Sequence, residues 1–198
     1  MAAATSSTTG LHPQLAEIRQ ELEAATAQLR RLVAACDHET WARKPSARSW
    51  SPAECVIHLN LTSEIALPIL RDAIRAARTQ DRVSAGPYQI DWVGRLILRF
   101  TEPPYHLWAP APAAFVPAGV EPATSVLGKF EDLQRQLAVV VEEANGLALT
   151  RIKVSWPVYV RVRYNLFASL KVLPAHQRRH LWQAEQAAQA AKIGAQAA

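Results

Sequence analysis

The sequence predicts an all-α protein: a four-helix bundle with a long proline-rich insertion between its second and third long helices. Four long segments repeat apolar side chains at intervals of three and four residues, which is the pattern of an amphipathic helix. A capping sequence marks the start of the second segment, and prolines are concentrated between the second and the third. Helices that each carry one apolar face must bury these faces against one another, and four of them do so as a bundle.

Length and composition favour a single folded domain. The chain has 198 residues, of which 49% are hydrophobic and 20% charged, so it is too apolar to be disordered. We predict one domain over residues 11–192, with tails at residues 1–10 and 193–198. The net charge of +5 is modest, and a solvated surface explains it as well as an anionic partner does.

The expected compartment is the cytoplasm. The first ten residues have neither the basic start nor the apolar core of a secretory signal, and no uninterrupted apolar run is long enough to span a membrane. We therefore expect no membrane partner. The chain has two cysteines, Cys36 and Cys55, which form no disulfide framework and fit a reducing environment.

The first long helix is predicted from Leu11 to Ala35, with Pro13 in its first turn, where proline is tolerated. The segment HETWARKPSARSW follows, and we interpret it as an irregular loop that Trp41 and Trp50 hold against the core.

The second long helix has a clear start. In Ser51-Pro52-Ala53-Glu54 the serine caps the helix, the proline takes its first position and the glutamate completes a capping box. The helix is predicted to run to about Arg78, with a kink at Pro68.

The remaining segments differ in composition. Residues 81–123 contain a short helical pattern, DWVGRLILRF, and then TEPPYHLWAPAPAAFVPAGVEP, whose prolines predict an extended segment over the surface. A third long helix is predicted from Thr124 to Asn145. The stretch IKVSWPVYVRV is rich in β-formers, but Pro157 interrupts it, so we expect an extended connection and no paired strand. The fourth long helix is predicted over Asn165–Lys192.

Three histidines are candidate metal ligands. His176 and His180 lie four residues apart in LPAHQRRHLWQAEQ, so they project from one face of the last helix. His58 lies on the inward face of the second helix, and bundle cores bring such faces together. Three neutral imidazoles suit Zn, Ni or Fe, and they leave a coordination position for water or substrate. The alternative is that the pair is polar surface and His58 is a core residue bonded to a backbone carbonyl.

Residues beside His58 have two interpretations each. Glu54 and Thr62 lie four residues before and after it, where either can orient the imidazole ring, although the capping box explains Glu54 better. Cys55 lies three residues before His58 and is either a fourth ligand or, as we prefer, a buried and unreactive thiol. The other three histidines are expected at the surface: His12, His38 and His106.

The motifs together resemble those of a known family. The chain carries ETWARKP, WSPAECVIHLNLTSE, WVGRLILRFTEPPY and AHQRRHLWQAEQ in this order. Over residues 11–190 it resembles the DinB-like superfamily, also called YfiT-like. The resemblance implies a four-helix bundle, often a homodimer, in which a divalent metal is held by His58, His176 and His180. Two features depart from the family pattern: Pro174, which is expected to disturb the helix before His176, and the long insertion after the second helix.

The resemblance also implies a class of chemistry. Members with known activity are mostly thiol-dependent, including transferases that join a low-molecular-weight thiol to an electrophile and a maleylpyruvate isomerase. Our leading hypothesis is therefore a metal-dependent thiol S-transferase with a small-molecule substrate, in which Arg179 and Gln183, with Arg178, contact the carboxylates of the thiol. A metal-dependent hydrolase is the second enzymatic hypothesis.

A protein without catalytic activity is the third hypothesis, with a structural metal or a nucleic-acid surface. Four arginines follow one another near the end of the second helix: Arg71, Arg75, Arg78 and Arg82. A basic row without interleaved aromatic residues is usually a solvated face, so we do not expect nucleic acid as a partner.

Overall fold

The computed structural model of the chain describes residues 10–102, 111–155 and 162–196. The helices are α1 Pro13–Ala35, α2 His38–Ala42, α3 Pro52–Thr79, α4 Trp92–Thr101, α5 Ala123–Glu143 and α6 Leu166–Gln196, with a 3-10 turn at Ala113–Phe115. Two short strands, β1 Lys153–Ser155 and β2 Arg163–Asn165, pair antiparallel. The all-α prediction is confirmed.

The four long helices α1, α3, α5 and α6 form the bundle. Both α1 and α3 pack against α5 and α6, so α1 lies opposite α3. The buried side chains form two neighbouring clusters along the bundle, one around Leu70 and Leu137 and the other around Phe130 and Leu181. Complete burial of a leucine or phenylalanine contributes roughly 1.5–3 kcal/mol, so these clusters hold the helices in register.

Helix α3 packs against both α5 and α6. Its capping box is present: the Ser51 hydroxyl accepts from the backbone N–H of Glu54 at 3.2 Å, and the Ser51 N–H donates to the Glu54 carboxylate at 2.9 Å. The helix continues through Pro68 to Thr79. By length and composition α3 is apolar enough to cross a membrane, but 67% of its most apolar window is buried inside the bundle, as expected for a core helix.

The link between α1 and α3 is more regular than expected. It contains α2, which begins at the N-cap Asp37, whose carboxylate accepts from the N–H of Thr40 at 2.7 Å. The prediction of an irregular loop is wrong here because this cap starts a short helix. Trp41 does hold the link to the core, since its ring is buried and its indole N–H donates to the Glu121 carbonyl at 2.9 Å.

The expectation of an unpaired connection after α5 is also wrong. Val154 lies opposite Tyr164 in the ladder of β1 and β2. A proline removes the backbone donor at its own position only, so the residues before Pro157 remain free to pair. Residues 156–161, Pro157 included, lie outside the described residues.

The insertion is docked onto the bundle on both sides of residues 103–110, which lie outside the described residues. Before them, Asp91 caps α4 and also accepts from the N–H of Asn165 at 2.8 Å, which ties α4 to the start of α6. After them, the 3-10 turn buries Phe115 to 8% exposure. The prediction of a segment that only covers the surface is therefore wrong at Phe115, because the ring and carbonyl of this residue reach the core.

Candidate metal centre

The structure brings His58, His176 and His180 together where α3 packs against α6. Ring nitrogens of the three residues, one from each, lie within 4.8 Å of one another. The ring centroids of His58 and His180, and those of His176 and His180, are 4.5 Å apart. The four-residue spacing places His176 and His180 on one face of α6, and the inward position of His58 on α3 brings it to them, which completes the three-histidine cluster.

Pro174 does not prevent this geometry. Helix α6 runs from Leu166 to Gln196 with Pro174 in its interior. The proline removes one N–H donor, but the residues on both sides remain helical, so His176 and His180 keep the one-turn spacing that directs both rings to one side. The expectation that Pro174 disturbs the helix before His176 is wrong.

A backbone carbonyl fixes the orientation of the His58 ring. The Nδ1 atom of His58 lies 2.7 Å from the carbonyl oxygen of Phe115. Because a carbonyl oxygen only accepts, Nδ1 must carry the proton, and Nε2 therefore presents a lone pair. That Nε2 atom lies 3.3 Å from Nε2 of His176. Sequence analysis missed Phe115, and its only signal was a large aromatic residue in a proline-rich stretch.

Trp50 forms an aromatic wall beside the cluster. Its ring centroid lies 4.9 Å from that of His58 and 6.0 Å from that of His180. Trp50 directly precedes the N-cap Ser51, so the capping box that starts α3 also places this ring. The sequence indicated that Trp50 contacts the core but not that it contacts the histidines.

The environment keeps all three imidazoles neutral. Burial lowers the pKa of His58, and a weaker opposing effect comes from its hydrogen bond to Phe115. Burial also lowers the pKa of His176 well below its usual range and that of His180 to about 3. His58 and Arg179 add to both shifts, and His180 adds to that of His176. Neutral imidazoles offer lone pairs to a metal at neutral pH without first losing a proton.

The donor set fits a transition metal. Tetrahedral zinc with Zn–N bonds of about 2.0–2.1 Å separates its nitrogen ligands by roughly 3.3–3.4 Å, and the two Nε2 atoms of His58 and His176 are 3.3 Å apart. The buried Nδ1 of His180 has no hydrogen-bond partner among the described residues. Three nitrogen donors, without a carboxylate in the group, suit Zn, Ni or Fe better than Mg or Ca.

Comparison with known families agrees with this geometry. A family model described as the DinB superfamily matches residues 21–184. The chain belongs to the DinB superfamily. The match begins within α1 and ends within α6, so it covers all of α3 and α5, parts of α1 and α6, and all three histidines. The chain has no match among curated proteins or solved structures.

In this DinB-superfamily chain, the side chains of Glu54 and Thr62, four positions from His58, make their hydrogen bonds elsewhere than to its ring. Both carboxylate oxygens of Glu54 are engaged elsewhere, one in the capping box and the other with Lys44 at 2.7 Å. The Thr62 hydroxyl donates to the backbone carbonyl of His58 at 2.8 Å. A threonine in a helix often bonds the carbonyl four residues back, and this contact leaves the ring to Phe115.

The three polar residues predicted to contact a ligand, Arg178, Arg179 and Gln183, differ in their contacts. Arg179 lies close enough to lower the pKa of His176 and His180, and its Nη1 donates to the Phe100 carbonyl of α4 at 2.6 Å. Gln183 interacts with His180 and partly opposes the lowering of its pKa. Arg178 is held in ion pairs with two glutamates, Glu21 and Glu102, so it is not available to a ligand in this arrangement.

The remaining candidates lie away from the cluster or are unreactive. Cys55 is fully buried, and burial raises the pKa of its thiol to about 12, so it is a core residue as preferred from the sequence. His12 is half-buried, caps α1 and packs against Tyr88, in contrast to the expected surface position. His38 is exposed on α2, and His106 lies outside the described residues.

Proposed function

We propose that this protein is a metal-dependent enzyme that activates a low-molecular-weight thiol at the three-histidine cluster for transfer to a small electrophile. The observation that carries the proposal is the cluster itself: three neutral imidazoles within 4.8 Å, partly buried and without a fourth protein ligand among the described residues. Structural zinc sites use four protein ligands, whereas catalytic sites use three and keep one position for water or substrate. The thiol as the ligand class is supported by the resemblance to thiol-dependent members of the superfamily to which the chain belongs.

Each neighbouring residue has a defined task in this proposal. The Phe115 carbonyl holds the His58 tautomer that presents Nε2 to a metal. Arg179 adds to the effect of burial in lowering the pKa of His176 and His180, and it supplies positive charge for a carboxylate of the thiol or substrate. Trp50 shields one side of the cluster and offers an aromatic surface to the ligand.

A divalent metal bound to the histidines supplies Lewis acidity, which lowers the pKa of a thiol beside it. The expected reaction joins the thiol sulfur to an electrophilic carbon. The thiol proton passes to solvent, a carbon–sulfur bond forms, and the leaving group departs with its electron pair. Hydrolysis, in which water takes the place of the thiol, is the alternative at the same site.

Metal content is the first test. Protein purified without a histidine tag is assayed by elemental mass spectrometry, alongside His58→Ala, His176→Ala and, as the matched control, His38→Ala, which changes an exposed histidine outside the cluster. We expect close to one transition metal per chain in the wild type and the control, and loss in the two cluster variants. Absence of metal from the wild type after each ion is supplied would overturn the proposal.

A second test separates the thiol from water. The protein is loaded with cobalt(II), whose visible spectrum reports its ligands, and is titrated with a small thiol or with the alcohol of the same structure. A new sulfur-to-cobalt absorption with the thiol only supports the transferase. A spectrum that the thiol leaves unchanged, together with ester or amide hydrolysis by the loaded protein, favours the hydrolase instead.

A further inference from the structure

Helix α4 presents an exposed apolar stripe that the proposed function does not use. Trp92, Leu96 and Phe100 follow one another at intervals of four residues, and their exposed fractions are 74%, 46% and 46%. The opposite side of α4 is fixed against α6, because Gly94 is buried and a Cβ atom at this position would lie only 2.4 Å from the Cβ of Ala168. The helix therefore cannot rotate to bury the stripe.

Positive charge flanks the apolar stripe on one side of α4. Arg95 and Arg99 are exposed, and neither has an ion-pair partner among residues 10–102, 111–155 and 162–196. At 100° per residue, Arg99 projects within about 20° of Trp92, so cation and aromatic ring share one side of the helix. The acidic residue at the end of this helix, Glu102, is already paired with Arg178.

The charge decides which occupant fits this face. A two-fold contact through this stripe places four arginines, two from each copy, around one interface, and like charges oppose such an interface. Anionic lipid headgroups match the arginines, and the boundary between headgroups and acyl chains accommodates Trp92, Leu96 and Phe100. We propose that α4 binds peripherally to an anionic lipid surface through this face, which we name the α4 face.

The α4 face changes one expectation from the sequence. The expectation of no membrane partner depended on the absence of a spanning segment, and a helix that lies on a bilayer needs none. Apolar contact or basic charge alone gives weak attachment, whereas the two together are sufficient for reversible binding. The Phe100 carbonyl accepts from Arg179, which also lowers the pKa of His176 and His180, so the α4 face lies near the histidine cluster of the proposed function.

Vesicle co-sedimentation of the full chain tests the charge. We expect binding to phosphatidylcholine vesicles that contain phosphatidylglycerol, little binding to phosphatidylcholine alone, and weaker binding as salt increases. Arg95→Gln with Arg99→Gln is expected to weaken binding roughly 25-fold, at about fivefold for each arginine. The matched control is Arg31→Gln with Arg151→Gln, which removes the same charge from exposed positions elsewhere and is expected to change binding little.

A second pair of variants tests the apolar stripe. Leu96→Gln with Phe100→Gln is expected to reduce vesicle binding by about tenfold or more, whereas Val139→Gln, at a 48% exposed position on α5, leaves it unchanged. Circular dichroism verifies that each variant is folded. The proposal is wrong if the wild type does not bind anionic vesicles or if both control variants lose as much binding as the α4 variants. It is also wrong if the α4 variants change the molecular mass in light scattering, because the face is then a self-interface.

Discussion

Phe115 is the residue whose replacement tests the candidate site most directly. Its ring is buried to 8% exposure, and its carbonyl oxygen lies 2.7 Å from Nδ1 of His58. Phe115→Ala leaves the three histidines in place but removes the side chain that docks the 3-10 turn. Loss of the buried ring is expected to lower the free energy of unfolding of the metal-free protein by roughly 1.5–3 kcal/mol. Loss of the carbonyl contact is expected to weaken metal binding about 10- to 100-fold, or roughly 1.4–2.7 kcal/mol.

The two effects separate in one experiment. At a free metal concentration of about 100 times the wild-type Kd, binding stabilises the wild type by about 2.7 kcal/mol. At the same concentration the variant gains only about 0.4–1.4 kcal/mol, because its Kd is 10- to 100-fold higher. Chemical unfolding with and without zinc measures both quantities. The matched control is Val116→Ala, at a neighbouring side chain that is 45% exposed. If Phe115→Ala lowers the metal-free stability but keeps the full metal-dependent gain, the carbonyl does not orient His58 and the reasoning fails.

Three further predictions concern the scaffold. Gly94→Ala is expected to lower the free energy of unfolding, measured by thermal unfolding, by about 1–3 kcal/mol because its Cβ meets that of Ala168 at 2.4 Å. A double variant with Ala168→Gly should lose less stability than the sum of the two single variants. Alkylation at pH 8 followed by mass spectrometry compares the two cysteines. Cys36 is expected to react in the folded protein, whereas Cys55, with a pKa of about 12, is expected to react only after unfolding. Equal alkylation rates would contradict the buried position of Cys55. Burial raises the pKa of Asp91, but the Lys153 ammonium and backbone N–H donors outweigh burial, so the pKa in the folded protein is lowered. The carboxylate therefore stabilises the fold at pH values above its pKa in the unfolded chain. This stability is lost as the pH falls through its pKa in the folded protein. Asp91→Ala should lower the free energy of unfolding by about 1 kcal/mol at pH 7. Urea titrations at a series of pH values should show the stability difference between wild type and variant narrowing below about pH 4.

The histidine cluster could be predicted because it depends on local rules. The capping box at Ser51 fixes where α3 begins, which sets the face on which His58 lies. The four-residue spacing of His176 and His180 sets a common face on α6 whatever the rest of the fold does. A bundle turns the apolar faces of α3 and α6 toward a common core, and the histidines lie on those faces.

The contacts around the cluster depend on the path of the chain and could not be predicted in the same way. Phe115 is 57 residues from His58 in the sequence. The prolines near Phe115 fix backbone angles, but they do not determine which surface the segment docks against. Local rules also fail at two positions. The Thr62 hydroxyl bonds its own helix instead of the neighbouring ring, and at Pro174 the helix α6 continues despite the missing donor.

The histidine cluster lowers the stability of a fold in which the neighbouring buried positions are apolar. Burial opposes the charged form of all three imidazoles, and the buried Nδ1 of His180 lacks a hydrogen-bond partner among the described residues. A buried polar atom without a partner costs roughly 1–3 kcal/mol, whereas an apolar side chain of similar volume at this position has no such cost. The neighbouring helix positions Leu59 and Leu181 show that leucine packs fully at this level of the bundle. Residues that break a rule which their neighbours obey are expected where function requires them. The same argument applies to α4, where three large apolar side chains remain exposed on a helix whose other side is fixed by Gly94.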